Sequence, residues 1–321
     1  FSAVSREGGL VLNNIILIVA AGTVFLGTFY PLLVELVGPD KISVGPPYYN
    51  RTFVPLMIPL LIAVAIGPLL RWKRDGLRAA LSRANGAFVL AVLTAVVVTA
   101  FAGIKLVGAA AGLGLAAWLV FGSLTVLVRR THLFADTPAR SLRLALTTPR
   151  ATYGMVLAHL GLGLFVAGVT CVTAWNQEQI VALAPGESVS AGGYEFTLTD
   201  VRGGAGSNYQ SEQGTFAVTR DGEPVLTMTS ERRFYPVSNR VTTEAGISPR
   251  GLTNLYIAFG EANDAGRWVV RVWYHPFVLL IWIGPILMAL GGVLSLADRR
   301  MRIGAPAPKP APTAITATAE A

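Results

Sequence analysis

Charge is scarce in this 321-residue chain: Asp, Glu, Lys and Arg make up 14% of it against 53% hydrophobic residues, and the mean hydropathy is +0.55. A soluble globular domain carries nearer a quarter charged residues, so that class is excluded. Cysteine is almost missing. Cys171 stands alone in apolar sequence, which excludes an intrachain disulfide, a CxxC redox pair and a cysteine zinc site, and leaves a structural free thiol. Acidic residues number 18 against 26 basic ones, for a net charge of +8. No basic face with aromatic or motif support accompanies that excess, so it does not indicate nucleic-acid binding. A Ser/His/Asp set, a carboxylate pair and a phosphate loop are all lacking, and no catalytic side chain is identified.

What the chain does have is long apolar runs. Val11–Val37, Thr52–Leu70, Ala87–Gly103, Leu106–Val128, Tyr153–Trp175 and Phe277–Ala297 each approach the ~20 residues that cross a bilayer. Arginine and lysine set their orientation. Arg71, Lys73, Arg74, Arg78 and Arg83 follow the second run; Arg129, Arg130, Arg140, Arg143 and Arg150 lie between the fourth and fifth; Arg299, Arg300 and Arg302 follow the sixth. By the positive-inside rule these loops are cytoplasmic, both ends of the chain lie inside, and loop 38–51, the turn at Lys105 and the polar stretch Asn176–Tyr274 lie outside.

In Asn176–Tyr274 the pattern changes. Alternating segments at Tyr194–Leu198, Thr215–Thr219, Val225–Thr229, Leu255–Phe259 and Trp268–Trp273 read as strands, with Asp221-Gly222 as a hairpin turn and Gly203–Ser207 as a loose loop. The fold class is therefore a mainly α, polytopic membrane protein with six transmembrane helices and a small antiparallel β barrel or sandwich inserted before the last helix. Residues 1–175 form a five-helix membrane region, 176–274 the outer β domain and 275–300 the last span. The Pro/Ala/Thr-rich stretch within 301–321 reads as a disordered cytoplasmic tail. The chain starts at Phe1 with no leader pattern and reads as a piece of a longer membrane protein.

One ionisable side chain lies inside a span. His159 sits in YGMVLAHLGLGLFVAGVTCVTAW, a run with no formal charge, and an intramembrane histidine marks a functional site by default. At 100° per residue Met155, His159, Gly163 and Val166 share one face, while Gly154, Gly161 and Gly168 recur on the opposite side and admit a close neighbouring helix. Two readings stand: an axial ligand to a haem iron, or a histidine hydrogen-bonded between helices or lining a polar path. His132, in the basic loop, reads as solvated, and His275, beside Pro276, as an interfacial hydrogen-bonding residue.

Several segments together resemble a known family. SREGGLVLNN (Ser5–Asn14), GTFYPLL (Gly27–Leu33), KISVGPPYYN (Lys41–Asn50), FVPLM (Phe53–Met57), GPLLRWKR (Gly67–Arg74), YGMVLAHLG (Tyr153–Gly161), ERRFYP (Glu231–Pro236), LYIAFGE (Leu255–Glu261) and MALGGVLSLADRR (Met288–Arg300) are similar to the C-terminal half of the CcmF haem lyases of bacterial system I cytochrome c maturation, the CcmF/CycK/NrfE type. The resemblance implies an inner-membrane protein that takes haem from a CcmE-type chaperone. It also implies thioether attachment of that haem to CxxCH motifs of apocytochrome c, presented by a CcmH-type partner. A transmembrane b haem that keeps the iron reduced is implied too, with His159 as one axial ligand and quinol as a possible reductant.

The departures are equally specific. The family's tryptophan-rich haem motif, its flanking histidines and the second b-haem ligand have no counterpart here, so this chain alone is expected to be inactive. Tyr48, Tyr49 and Arg51, in the outer loop stiffened by Gly45, Pro46 and Pro47, are candidates to face haem or apocytochrome. Docking of that loop on the β domain explains them equally well. Two rival functions remain at this level: a membrane transporter, disfavoured by spans poor in polar residues and by the lack of an internal repeat, and a non-catalytic assembly platform for cytochrome c biogenesis.

Overall fold

The computed structural model describes residues 2–38 and 41–298; the basic cluster at 299–302 and the tail lie outside the described residues. The first helix, α1 (Arg6–Val37), starts before the apolar run. Ser5 supplies the reason: its side chain is fully buried and accepts the Gly8 N–H at 3.0 Å, capping the helix. Pro31 lies inside α1 and does not end it.

Helix α2 (Pro46–Ile66) extends into what the sequence suggests is loop, because Pro46 and Pro47 fill first-turn positions where no N–H is needed. The loop through Arg51 therefore ends at Gly45, and Tyr48, Tyr49 and Arg51 are helical. Helix α3 (Leu77–Ala102) likewise begins early, placing Arg78 and Arg83 on a helix. Asp75 makes this possible: it pairs with the Arg83 guanidinium and accepts the Arg71 N–H at 2.9 Å and the Gly76 N–H at 2.8 Å. The Arg71 hydrogen bond, helped by the Gly76 bond and the Arg83 guanidinium, holds the Asp75 carboxyl below the usual carboxylate range.

Helices α4 (Val107–Thr131) and α6 (Arg150–Trp175) flank a short helix, α5 (Pro138–Thr147), inside the loop read from sequence as merely basic. Among the described residues, five helices are long and apolar enough to cross a membrane. The sixth apolar run yields α7 (Leu280–Leu296), of 17 residues. Its length, about 25 Å, falls a little short of a ~30 Å hydrocarbon layer. Phe277 at φ 55° and the turn after Pro276 consume the residues that the sequence assigns to its start.

Among the described residues, nine strands follow α6 directly. They are β1 (Gln177–Leu183), β2 (Ser188–Ala191), β3 (Tyr194–Ala205), β4 (Gln210–Arg220), β5 (Glu223–Tyr235), β6 (Arg240–Glu244), β7 (Gly246–Arg250), β8 (Thr253–Ala262) and β9 (Trp268–His275). Two antiparallel sheets, ordered β1-β9-β8-β7 and β2-β3-β4-β5-β6, enclose a core of Phe196, Leu198, Phe216, Leu255, Ile257, Phe259, Val270 and Val272, all essentially inaccessible. Asp221 (φ 53°) and Gly222 (φ 83°) form the β4–β5 hairpin turn in the left-handed region that this dipeptide favours. The supposed loop at Gly203–Ser207 is instead strand through Ala205, paired with β4 by Gly203↔Glu212 and Ala205↔Gln210. Glycine there is a paired backbone position, not a flexible one.

Ser230 joins the two sheets. Its buried hydroxyl accepts the Phe259 N–H at 3.0 Å from β8 and donates to the Glu244 carbonyl at 2.8 Å. Ser230→Val leaves both backbone groups unpaired, at a cost of about 1–3 kcal/mol each. The expected result is a lower urea midpoint for the β region, read by limited proteolysis of the full-length protein; an unchanged midpoint contradicts the bridging role.

Candidate cofactor site in the helix bundle

Helix α6 is central, packing against α4 on one side and α7 on another. Its glycine stripe makes the second contact. A Cβ at Gly161 would lie 2.5 Å from the Gly284 carbonyl oxygen, one at Gly284 would lie 2.6 Å from the Gly161 carbonyl oxygen, and Gly154 meets Gly291 in the same reciprocal way. Backbones therefore touch along an antiparallel seam with a seven-residue repeat on both helices. The seam is tied at one end by Asp298, a buried carboxylate that accepts the Ala151 N–H at 3.0 Å near the α6 N-terminus.

His159 faces away from that seam. On α6 it shares a side with Gly163, which abuts Ala116, Leu119 and Val120 of α4, and with Val166, which packs in the core of α2, α3 and α4. The pairs Gly112–Thr170 and Gly163–Leu119 set an antiparallel register that brings His159 level with the buried Ser123. The His159 Nδ1 is buried and has no hydrogen-bond partner among the described residues. An imidazole nitrogen left unclaimed in an apolar bundle is a donor available to a metal centre. Helix α6 begins at Arg150, three residues before the apolar run, so the imidazole lies nine residues, roughly 13 Å, along the helix from its first residue.

An apolar cavity of about 820 Å³ opens between α2, α3, α4 and α6, lined among others by Met57, Phe88, Trp118, Phe165, Val166 and Thr170. It begins more than a turn along α6 from His159, which does not line it.

The other sequence candidates are not gathered around His159. The Tyr48 hydroxyl donates to the Thr23 carbonyl at 2.9 Å, and the rings of Tyr48 and Tyr49, edge to face at 5.2 Å, close over buried Gly27 of α1. These two tyrosines dock α2 on α1, while Arg51 is exposed on α2. His132 ends α4 in the left-handed conformation, φ 52°, with Nδ1 3.3 Å from Asp136 Oδ2. His275 closes β9 on the outer side of its sheet, directly across from Asn254, with Trp273 and Tyr256 beside it. The His275 Nδ1 and the Asn254 Oδ1 are both buried without partners among the described residues. Burial pushes the His275 imidazole below its ordinary pKa, against the opposing pull of Glu178. Nothing in the sequence pairs Asn254 with His275; only the strand register does.

These features define a class: an apolar bundle of membrane-length helices carrying a β sandwich between its last two helices, with a half-buried histidine partway along the helix that precedes the sandwich. Residues 174–276 match the family model described as CcmF C-terminal beta-sandwich. The CycK cytochrome c-type biogenesis protein of Bradyrhizobium diazoefficiens is 43% identical over 96% of this chain and 47% of its own length. CcmF of Pseudomonas aeruginosa is 39% identical over 94% and 45%, and CcmF of Escherichia coli 35% over 97% and 46%. A solved structure titled Cytochrome c Heme Lyase CcmF shares the fold, with a TM-score of 0.69 and 24% identity, over 92% of this chain and 46% of that one. Over nearly its whole length the chain is similar to cytochrome c-type biogenesis proteins of the CcmF and CycK kind, and it spans about half the length of the curated relatives it matches.

Proposed function

We propose that this chain is the C-terminal part of a cytochrome c haem lyase of the bacterial inner membrane, with the β sandwich on the periplasmic side and His159 as one axial ligand of a transmembrane b haem. The observation that carries the reading is the half-buried His159 imidazole, whose Nδ1 is buried among apolar helices without a partner among the described residues, in a chain whose relatives are cytochrome c-type biogenesis proteins. Bound there, the haem supplies a one-electron carrier that keeps the incoming haem iron reduced. The residues of this chain do the holding. The α6–α7 glycine seam and the α4 contact at Gly163 fix the helix that carries the imidazole.

The substrate haem comes from a CcmE-type chaperone and the apocytochrome from a CcmH-type partner. In the reaction each cysteine S–H adds across a vinyl C=C, so that a C–S and a C–H bond form with no net change of oxidation state. Catalysis then consists of holding haem and two thiols in register. The β sandwich suits that task because its tethers are short: α6 passes into β1 through Asn176 alone, and the Leu279 N–H donates to the Leu252 carbonyl at 3.2 Å where β9 hands over to α7.

Topology and haem content test the reading together. Reporter fusions after Asp75 and Pro138 should behave as cytoplasmic, and those at Gly45 and Gly206 as periplasmic, because arginine clusters resist translocation. A cytoplasmic reporter at Gly206 places the sandwich on the wrong side for cytochrome c assembly and ends the proposal. Pyridine-haem assay of the purified full-length protein should find b-type haem, and a quinol analogue should reduce it; protein without b haem refutes the cofactor assignment.

A further inference from the structure

The loop between α4 and α6 holds an amphipathic element with an uncovered face. Helix α5 is docked on one side only: the buried Ser141 hydroxyl donates to the His132 carbonyl at 3.3 Å, and the Tyr153 hydroxyl donates to the Ala145 carbonyl at 2.9 Å. Those contacts fix its rotation. Leu142 and Leu146, one turn apart, then stand out 62% and 79% exposed. Beside them the turn 132–137 presents Phe134, 90% exposed and held at φ 72°, a left-handed backbone that a bulky residue rarely adopts. Asp136 maintains this turn by accepting from Arg140 at 3.1 Å while lying 3.3 Å from the His132 Nδ1.

Charge indicates what covers the face. Arg129, Arg130, Arg140, Arg143 and Arg150 lie on or next to α5 in the chain, all exposed, and the one acidic residue of residues 129–150, Asp136, is engaged with His132 and Arg140. The last turn of α4 and the first turn of α6 bracket α5, so it lies at the level where the apolar helices end. A short helix at that level, with leucines on one side and arginines on the next, suits the boundary between acyl chains and headgroups. An anionic headgroup complements the guanidinium groups while the acyl chains accept Phe134, Leu142 and Leu146.

We propose that α5 and its preceding turn form a binding platform for anionic phospholipid, which seats this end of the bundle at the membrane surface. The test uses full-length protein in which every native cysteine, Cys171 included, is replaced by Ala and Leu142 by Cys, labelled with bimane and reconstituted into vesicles. The vesicles contain phosphatidylcholine with an equal share of dibrominated phosphatidylglycerol or dibrominated phosphatidylcholine. The brominated anionic lipid is expected to quench the probe about fivefold more than the zwitterionic one, since each basic side chain near the surface adds its own attraction. Adding Arg130→Gln and Arg143→Gln, which leave the Asp136 contacts intact, should erase the preference while quenching by phosphatidylcholine persists. Equal quenching by the two lipids overturns the proposal, because the face then meets lipid without reading its charge. Absence of quenching overturns it as well, because protein then covers the face.

Discussion

Gly161→Leu in the full-length protein should dismantle the docking of α7 on α6 and leave little protein that survives extraction in detergent. A Cβ at this position meets the Gly284 carbonyl oxygen at 2.5 Å and the Met288 nitrogen at 2.9 Å. Both are backbone atoms that cannot rotate aside, so the helices must separate and the contacts along the seam go with them. Overpacking in a rigid core costs about 1–3 kcal/mol, and displacing a whole helix interface lies at the upper end of that range or beyond it. Gly22→Leu is the matched control, because a Cβ there meets nothing within 4 Å. If both variants express and melt alike, the close approach of α6 and α7 plays no part in holding the bundle together.

His159→Ala should leave membrane insertion and the thermal stability of the bundle nearly unchanged while abolishing both the low-spin b-haem spectrum and reduction by a quinol analogue. Removing the imidazole takes away the proposed iron ligand and adds no charge to the helix. Holocytochrome yield in complemented cells should fall with it. A full reduced spectrum in the variant refutes the ligand assignment. Loss of haem with normal holocytochrome yield refutes the electron-relay role alone, and the two results are separable because one is read on purified protein and the other in cells.

How much of this was legible in the chain itself depends on whether the signal is local. The glycines 154, 161 and 168 predicted a close helix neighbour, and one is there; that the neighbour is α7, through its own Gly284 and Gly291, could not be read from one helix alone. Asp221-Gly222 announced its turn because the left-handed conformation is a property of those two residues. Helix ends were less legible. A hydropathy run registers apolar side chains, whereas α1, α2 and α3 start at caps, prolines and an Asp75–Arg83 contact whose residues are polar or neutral. Helix α5 escaped for a related reason: ten residues with two arginines make too little apolar length to register.

By itself, then, the sequence determined the membrane character, the number of apolar runs, the strand-rich insertion and the single histidine within a span, since each follows from composition and period along the chain. Tertiary structure alone decided the rest. It turned Tyr48 and Tyr49 onto Gly27, extended strand through Gly203 and Gly204, set His159 against the α4 side of its helix, and joined Asn254 to His275 and Ser230 to Phe259. Those outcomes rest on which backbones approach closely enough to exclude a side chain or share a hydrogen bond. That is a property of pairs of segments distant in sequence, so neither partner carries it alone.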